Sequence, residues 1–259
     1  MTFVLYKGLG ANKVNQSSLT GGNGLACDSD NYFFGGASWS PLSLPDLKWW
    51  SDGVNSTIVH SSNLVSNWEN MADNDFDLSQ TSGALQPTTN TSTIGGLNSI
   101  YFDGTDMITM PDGAFYFTQS HSIFFMVQFT NSGSDECVIA QVGSGSRQIL
   151  QKNAANTLFT LINGFTSGGV VPTGVPTIIG MTFDTDINQC KLYIDNVNTK
   201  TRTSAEVTQT IGSFRIGNSQ YGTHPVTGGV GDAICCQSVL SDEDRTLLHD
   251  YLNSKYGIS

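Results

Sequence analysis

Along most of this chain the apolar residues come in short runs separated by Gly, Asn, Asp, Ser and Thr, the rhythm of strands and tight turns. The runs predict strands at Ser99 to Phe102, Met107 to Met110, Ser122 to Phe129, Cys137 to Gln141, Gln148 to Gln151, Thr157 to Ile162, Pro176 to Phe183, Gln189 to Ile194, Ser213 to Ile216 and Gly229 to Val239. Between two of them, TIIGMTFD meets QCKLYID across the polar turn TDIN, and Asp195 with Asn196 then turns the chain again. Strands joined this closely predict an antiparallel meander folded into two packed sheets. No internal repeat of fixed period is present, which argues against a propeller or a parallel β-helix.

The rhythm changes at the end, in LSDEDRTLLHDYLNSKYGIS. Leu247, Leu248, Tyr251 and Leu252 recur at helical spacing, so one face of a helix is apolar and needs a surface to dock on. Ser241 is placed as N-cap with Asp244 three residues on, Asp242 and Glu243 put negative charge in the first turn, Lys255 lies in the last turn, and Gly257 suits a left-handed closure. A helix this short draws its stability from packing on the body of strands, so it is expected to clamp the outer face of one sheet.

Composition agrees with an all-β class: 28 of the 259 residues are Gly, and only 13% are charged. This length can bury one large sandwich core. A formal net charge of -11 repels phosphate backbones and anionic lipid surfaces, so neither nucleic acid nor membrane is expected as a partner. No apolar run has the length needed to cross a bilayer, and the start MTFVLYKGLGANKVNQ does not read as a secretory signal.

Five cysteines, Cys27, Cys137, Cys190, Cys235 and Cys236, form an odd set without metal-type spacing, and are read as reduced thiols suited to assembly in a reducing cytosol. Cys235 and Cys236, adjacent on a strand, are expected to point to opposite faces. The first forty residues break the strand rhythm and read as an arm spanning residues 1–43, with Phe3, Leu5, Tyr6, Tyr32, Phe33, Phe34 and Trp39 as aromatic and apolar anchors for a neighbouring surface. Pro41 and Pro45 mark its boundary with a sandwich domain at 44–259.

Several short motifs occur in one order: LPDLKWWSDG, VSNW, QP, IYFDGTDMITM, KLYIDN and the final GDAICCQSVLSDEDRTLLHDYLNSKYG. In this order the chain resembles the laminin-G-like branch of the concanavalin A-like lectins and glucanases, from residue 44 to the end. The resemblance implies a jelly-roll sandwich with an extended amino-terminal arm and a carboxy-terminal helix. It also implies the setting in which such domains occur, bacterial surface proteins and tailed-phage virions. The run ENMADNDFDLSQ after Trp68 and the residues Ala233 to Cys236 depart from the family pattern.

Catalytic patterns are not readable. Glucanases of this superfamily place acidic residues on alternate positions of one strand so that two carboxylates flank a glycosidic bond, and this chain has no such run. None of His60, His121, His224 and His249 sits in a nucleophile-elbow context. Asp73, Asp75 and Asp77 alternate but lack the Gly and Glu of an EF-hand loop, so they read as a solvated acidic loop. Asp103 and Asp106 read as turn formers. By resemblance to laminin-G-like sandwiches that hold calcium at a sheet rim, Asp103 and Asp232 are the candidate ligands. For a glycan, a flat aromatic face is the chemical requirement, and Trp49 or Trp50, of which one is expected outside the core, and Tyr221 in the loop NSQYGTHP are the candidates.

The expectation from these features is a non-enzymatic virion protein of a tailed phage, a capsid decoration or head fibre made in the bacterial cytoplasm and displayed on the virion surface. Its arm attaches to other virion proteins, its sandwich contacts cell-surface glycans, and its assembly is a symmetric homo-oligomer, taken as a trimer. The alternatives are a receptor-binding tail fibre and a bacterial carbohydrate-binding lectin module.

Overall fold

The computed structural model describes residues 6–8, 11–13, 39–54, 58–72, 76–111, 116, 118–131, 133–142, 148–160, 166–203, 213–219 and 221–258. Within them the strands assemble into two large antiparallel sheets. One has nine strands, running edge to edge through Thr166–Val170, Thr157–Thr160, Gln148–Lys152, Glu136–Gln141, Phe214–Ile216, Ile108–Met110, Leu78–Ser79, Leu64–Trp68 and Ile58–Ser61. The other has seven, through Val197–Thr203, Gln189–Ile194, Thr177–Asp184, His121–Phe129, Thr227–Cys236 and Leu47–Asp52, with Ile100–Asp103 pairing the first half of Thr227–Cys236. Two small hairpins, Tyr6–Gly8 with Ala11–Lys13 and Thr93–Ile94 with Leu97–Asn98, form separate two-stranded sheets.

The central strand His121–Phe129 shows why this sequence forms a layered body. Ile123, Phe125, Val127 and Phe129 point into the core between the sheets, while Phe124 and Met126 belong to a second apolar cluster on the other side. A strand covered on both faces reads as a continuous apolar run, which is how HSIFFMVQF reads. The second cover is the helix Asp242–Tyr256. Leu248, Leu252 and Tyr256, four residues apart, are buried against Trp50, Phe124, Ile234 and Cys236 of the seven-stranded sheet. Cys235 and Cys236 divide between the two clusters, as their adjacency predicts.

Helix and sheet fit closely enough to dictate glycines. At Gly95, φ is +57°, and a Cβ there would collide with the Tyr256 carbonyl oxygen; at Gly231 a Cβ would lie 2.5 Å from the Tyr256 hydroxyl. The helix ends follow the sequence reading: Asp244 N donates to Ser241 Oγ at 3.0 Å, and Gly257 closes the last turn at φ +63°.

Most strand limits move by about one residue from expectation, and the last strand by more. Gly229 to Val239 is Thr227–Cys236, because at Gln237 the chain turns to donate its N–H to Asp46 O. Pro176 lies outside its strand, which starts at Thr177, and Thr157 to Ile162 is described as Thr157–Thr160. The polar edge strand Val197–Thr203 carries no apolar alternation and is not visible to a hydrophobic reading; Lys200 and Arg202 on it discourage edge-to-edge pairing. At Leu47–Asp52 the free edge is covered by Asn70, whose Oδ1 accepts from Trp50 N at 2.9 Å and whose Nδ2 donates to Lys48 O at 3.1 Å.

Of the predicted arm anchors, Phe3, Leu5, Tyr32, Phe33 and Phe34 lie outside the described residues, and of Tyr6 only its strand is described. Trp39 packs on Tyr251 of the helix at a centroid distance of 5.7 Å, so this anchor is used within the chain.

The helix is therefore a structural cover. Leu248→Ala and Leu252→Ala, each leaving a cavity against the sheet, are expected to cost about 2 to 5 kcal/mol apiece, measured as a lowered midpoint in thermal or chemical unfolding. An unmoved midpoint in both variants would mean that the helix does not support the sandwich.

Candidate functional site

Adjacent positions on Leu47–Asp52 send Trp49 and Trp50 to opposite faces, as expected, but both faces are covered. Trp49 is wholly buried between the sheets, its ring 5.5 Å from that of Phe214, and donates through Nε1 to Ser51 Oγ at 2.6 Å. Trp50 is buried beneath the helix, edge-on to Tyr251 at 6.2 Å. Neither indole offers a face to a sugar, which corrects the expectation that one of this pair stacks on a glycan. The helix, unplaced when the strand is read alone, is the reason for Trp50.

Asp232 is corrected in the same way. It is fully buried in the seven-stranded sheet, where Lys255 Nζ lies 2.7 Å and Tyr256 Oη 2.6 Å from Oδ1, and Trp50 Nε1 donates to Oδ2 at 3.1 Å. Lys255 Nζ also lies 2.7 Å from Oδ2 of buried Asp52. Burial pushes the Asp232 carboxyl above its ordinary range, the Lys255 ammonium opposes this, and Asp52 adds to it. With this cation and these donors already on its oxygens, Asp232 is the internal counter-ion of the helix and not a calcium ligand at a rim.

Several connections meet at one end of the sandwich: the turn after Asp103, those leaving Phe129, Lys152 and Val170, and that between Ile216 and Thr227. Tyr221 stands in the last of these and is 77% exposed. Its support is hydrogen-bonded. Thr223 N and Ser219 Oγ are 3.1 Å apart, Gly222 N donates to Ser219 O at 3.1 Å, Val226 N donates to Gly217 O at 2.8 Å, and Arg215 Nη1 donates to Ser219 O at 3.2 Å from the neighbouring strand. His224 O accepts from Cys137 N at 2.8 Å, and His224 Nδ1 lies 4.0 Å from Asp135 Oδ2. Beneath this surface sits the buried pair Glu136 and Lys152, 2.7 Å apart, with Glu136 Oε1 accepting from Thr227 N at 2.7 Å. Burial raises the Glu136 carboxyl above its usual range, the Lys152 hydrogen bond counteracting it.

Asp103 and Asp106 build the adjoining turn. Asp103 Oδ1 accepts from Thr105 N and Oγ1, both at 2.8 Å, and its carboxyl is held below the ordinary range mainly by the Thr105 side chain. Asp106 Oδ2 accepts from Asp103 N at 2.9 Å, and burial pushes its carboxyl up to about 6. Asp103 thus turns its carboxylate back on its own loop. Among the described residues no group of three or more His, Cys, Asp or Glu side chains could hold a metal ion. Asp73 and Asp75 lie outside the described residues, and Asp77 accepts from Asn67 Nδ2 and Asn70 N. Cys137, Cys190, Cys235 and Cys236 are free and buried, and burial raises each thiol, Cys190 to about 12, so none is a poised nucleophile. Cys27 lies outside the described residues.

An exposed phenol on a braced loop can stack on a flat apolar surface and hydrogen-bond at its tip, while the hydroxyls and amides around it supply polar contacts. Sequence reading found Tyr221 through its loop composition. It missed Arg215, His224, Asp135 and Lys152, whose roles come from strand register and not from local spacing.

A laminin-G family model, described as the concanavalin A-like lectin/glucanases superfamily, matches residues 102–244, more than half of the chain. No curated relative matches it in sequence. Among solved structures the chain is similar to Trypanosoma rangeli sialidase in complex with sialic acid, at 12% identity and TM-score 0.60, over 85% of this chain and 35% of that one. It thus spans about a third of the sialidase's length. It is also similar to domain 4 of a GH43 extracellular arabinanase from Geobacillus stearothermophilus in complex with arabinotriose, at 16% identity and TM-score 0.56, over 80% of this chain and 100% of that domain. A third is the binding domain of Paraclostridial Mosquitocidal Protein 1, at 10% identity and TM-score 0.59, over 83% and 54%. Identities this low show a shared fold.

The Asp106 turn gives the rim a pH signature of known sign. With its carboxyl raised from 3.8 to about 6 on folding, the native state holds the proton more tightly, so this group's contribution to stability is full below pH 3.8 and is lost as pH rises toward 6. Asp106→Asn is expected to remove that decline. Unfolding free energies of wild type and variant across this window should diverge as pH rises, and parallel curves would refute the shift.

Proposed function

The chain belongs to the concanavalin A-like lectin/glucanases superfamily, and from that premise we propose that it is a non-catalytic carbohydrate-binding protein whose glycan-contacting element is the rim loop carrying Tyr221. The observation that carries this reading is the pairing of 77% exposure at Tyr221 with a hydrogen-bonded base made by Ser219, Gly222, Thr223 and Arg215. A preorganised aromatic loses little entropy on binding, which is where a loop-borne platform gains affinity. Sugar complexes among the structures of similar fold support the ligand class.

The carboxylate chemistry supports a binding role over hydrolysis. A glycosidase needs two accessible carboxyl groups about 5 to 9 Å apart on either side of the bond. Here Asp52 and Asp232 do converge, but on the ammonium of Lys255 inside the sheet, and Glu136 is closed off by Lys152. The setting that suits such a module is a virion surface, with the amino-terminal arm attaching the sandwich to other virion proteins of a tailed phage. Buried, unpaired thiols support assembly in a reducing cytoplasm before display.

A glycan array at neutral pH, run with and without calcium, is expected to return selective binding. Titration of the best ligand should then show Tyr221→Ala weakening binding at least about tenfold, roughly 1.4 kcal/mol, with the melting midpoint unchanged because the side chain is exposed. Full affinity in the variant would remove the loop from the site, and a silent array would remove the lectin reading. Electron cryomicroscopy of the source particle tests the setting: density for the sandwich outside the shell or tail is expected, and a chain missing from particles would end that part of the proposal.

A further inference from the structure

The ammonium of Lys152 has more oxygen around it than an ammonium can serve. Its Nζ lies 2.7 Å from Glu136 Oε2, 3.1 Å from Asn156 Oδ1, 3.2 Å from Asn131 O and 3.3 Å from Ser134 O. Three protons face four oxygens, so at least one contact is held by charge and not by a hydrogen bond of its own. The donor set is one carboxylate, one side-chain amide oxygen and two backbone carbonyls, contributed by two pieces of the rim, the run that carries Asn131, Ser134 and Glu136 and the turn that carries Asn156. The ring of Phe129, 5.3 Å from Nζ, closes the apolar side; both charged side chains are at 0% exposure, while Asn131, Ser134 and Asn156 around them reach the surface.

This is the donor chemistry that binds a hard divalent cation of calcium's size: carboxylate, amide and main-chain oxygens around one point, drawn from loops that the ion ties together. We infer that the rim contains a cation cage of calcium type in which the side chain of Lys152 is the permanent occupant, so that removing the ammonium opens a calcium site. The oxygens stand about 0.5 Å farther out than calcium ligands, a gap that loop carbonyls at 131 and 134 close by small movements, with water completing the shell. Because the internal cation holds the 130–135 connection, the Asn156 turn and, through Glu136, the start of Thr227–Cys236, the wild-type rim is ordered without metal. The inference stands on this cage and not on the glycan reading.

The test is thermal unfolding of the full chain in EDTA, in about 10 mM calcium chloride and in the same concentration of magnesium chloride, ten to a hundred times the dissociation constant of a weak calcium site. Wild type is expected to melt at one temperature in all three. Lys152→Ala, which strands the buried Glu136 carboxylate, should melt lower in EDTA and recover by roughly 5 °C or more in calcium but not in magnesium, whose smaller octahedral shell the cage does not fit. The double variant Lys152→Ala with Glu136→Gln removes both charges and should fold without responding to calcium. If the single variant does not fold in EDTA, refolding yield in calcium against magnesium gives the same reading. Lack of a calcium effect on Lys152→Ala, an equal effect of magnesium, an equal effect on the double variant, or a wild type that melts lower in EDTA would each overturn the inference.

Discussion

A carboxylate buried in the middle of a sheet is the constraint on which the rest of this molecule depends. Asp232 is out of reach of water, and an isolated charge there is prohibitive, so the chain must bring a cation and hydrogen-bond donors to it. It does so with Lys255 and Tyr256 from the helix and Trp50 from the next strand. Position and direction of the helix follow from that need, since the aliphatic positions Leu248 and Leu252 fill apolar surface but do not by themselves fix where along the sheet the helix lies. Gly231 is small because the Tyr256 phenol must pass it to reach its acceptor, and Gly95 because the main chain of Tyr256 lies against it.

The two ends of the architecture use one device. At the helix, Lys255 is shared between Asp52 and Asp232; at the rim, Lys152 is shared between Glu136 and loop oxygens. The two lysines are withdrawn from the surface together with the carboxylates of Asp52, Asp232 and Glu136, so the exterior keeps nearly all of the net charge of -11. A surface of that kind repels anionic polymers at long range while leaving a neutral aromatic contact such as Tyr221 effective, because stacking depends on area and shape more than on field.

Much of the fold was legible because it is written locally. Cap, apolar spacing and closing glycine are all contained within the helix segment, and the continuous apolar run of His121–Phe129 announces a strand covered on both sides. The strand Val197–Thr203 was not legible, since its identity comes from its neighbour Gln189–Ile194 and not from its own side chains. The site divides along the same line. Tyr221 could be picked out as an aromatic in a Gly, Ser, Asn and Thr loop, whereas Trp50 was misjudged because the residue that covers it, Tyr251, is two hundred positions away. Asp232 was misjudged for want of Lys255, which reaches it only once the helix has docked. Glu136 carries no local sign of its role, because its partner lies on an adjacent strand at the register Glu136 with Lys152.

The buried carboxylates also bear on the order in which the protein is made. Asp52 is translated early and Asp232 late, but the ammonium that neutralises both belongs to residue 255, behind every strand of the sandwich. Until that lysine has left the ribosomal tunnel, closing the seven-stranded sheet around Asp52 and Asp232 means burying two like charges with no counter-ion. Docking of the helix Asp242–Tyr256 is thus the step that neutralises both carboxylates at once and lets the seven-stranded sheet close around them.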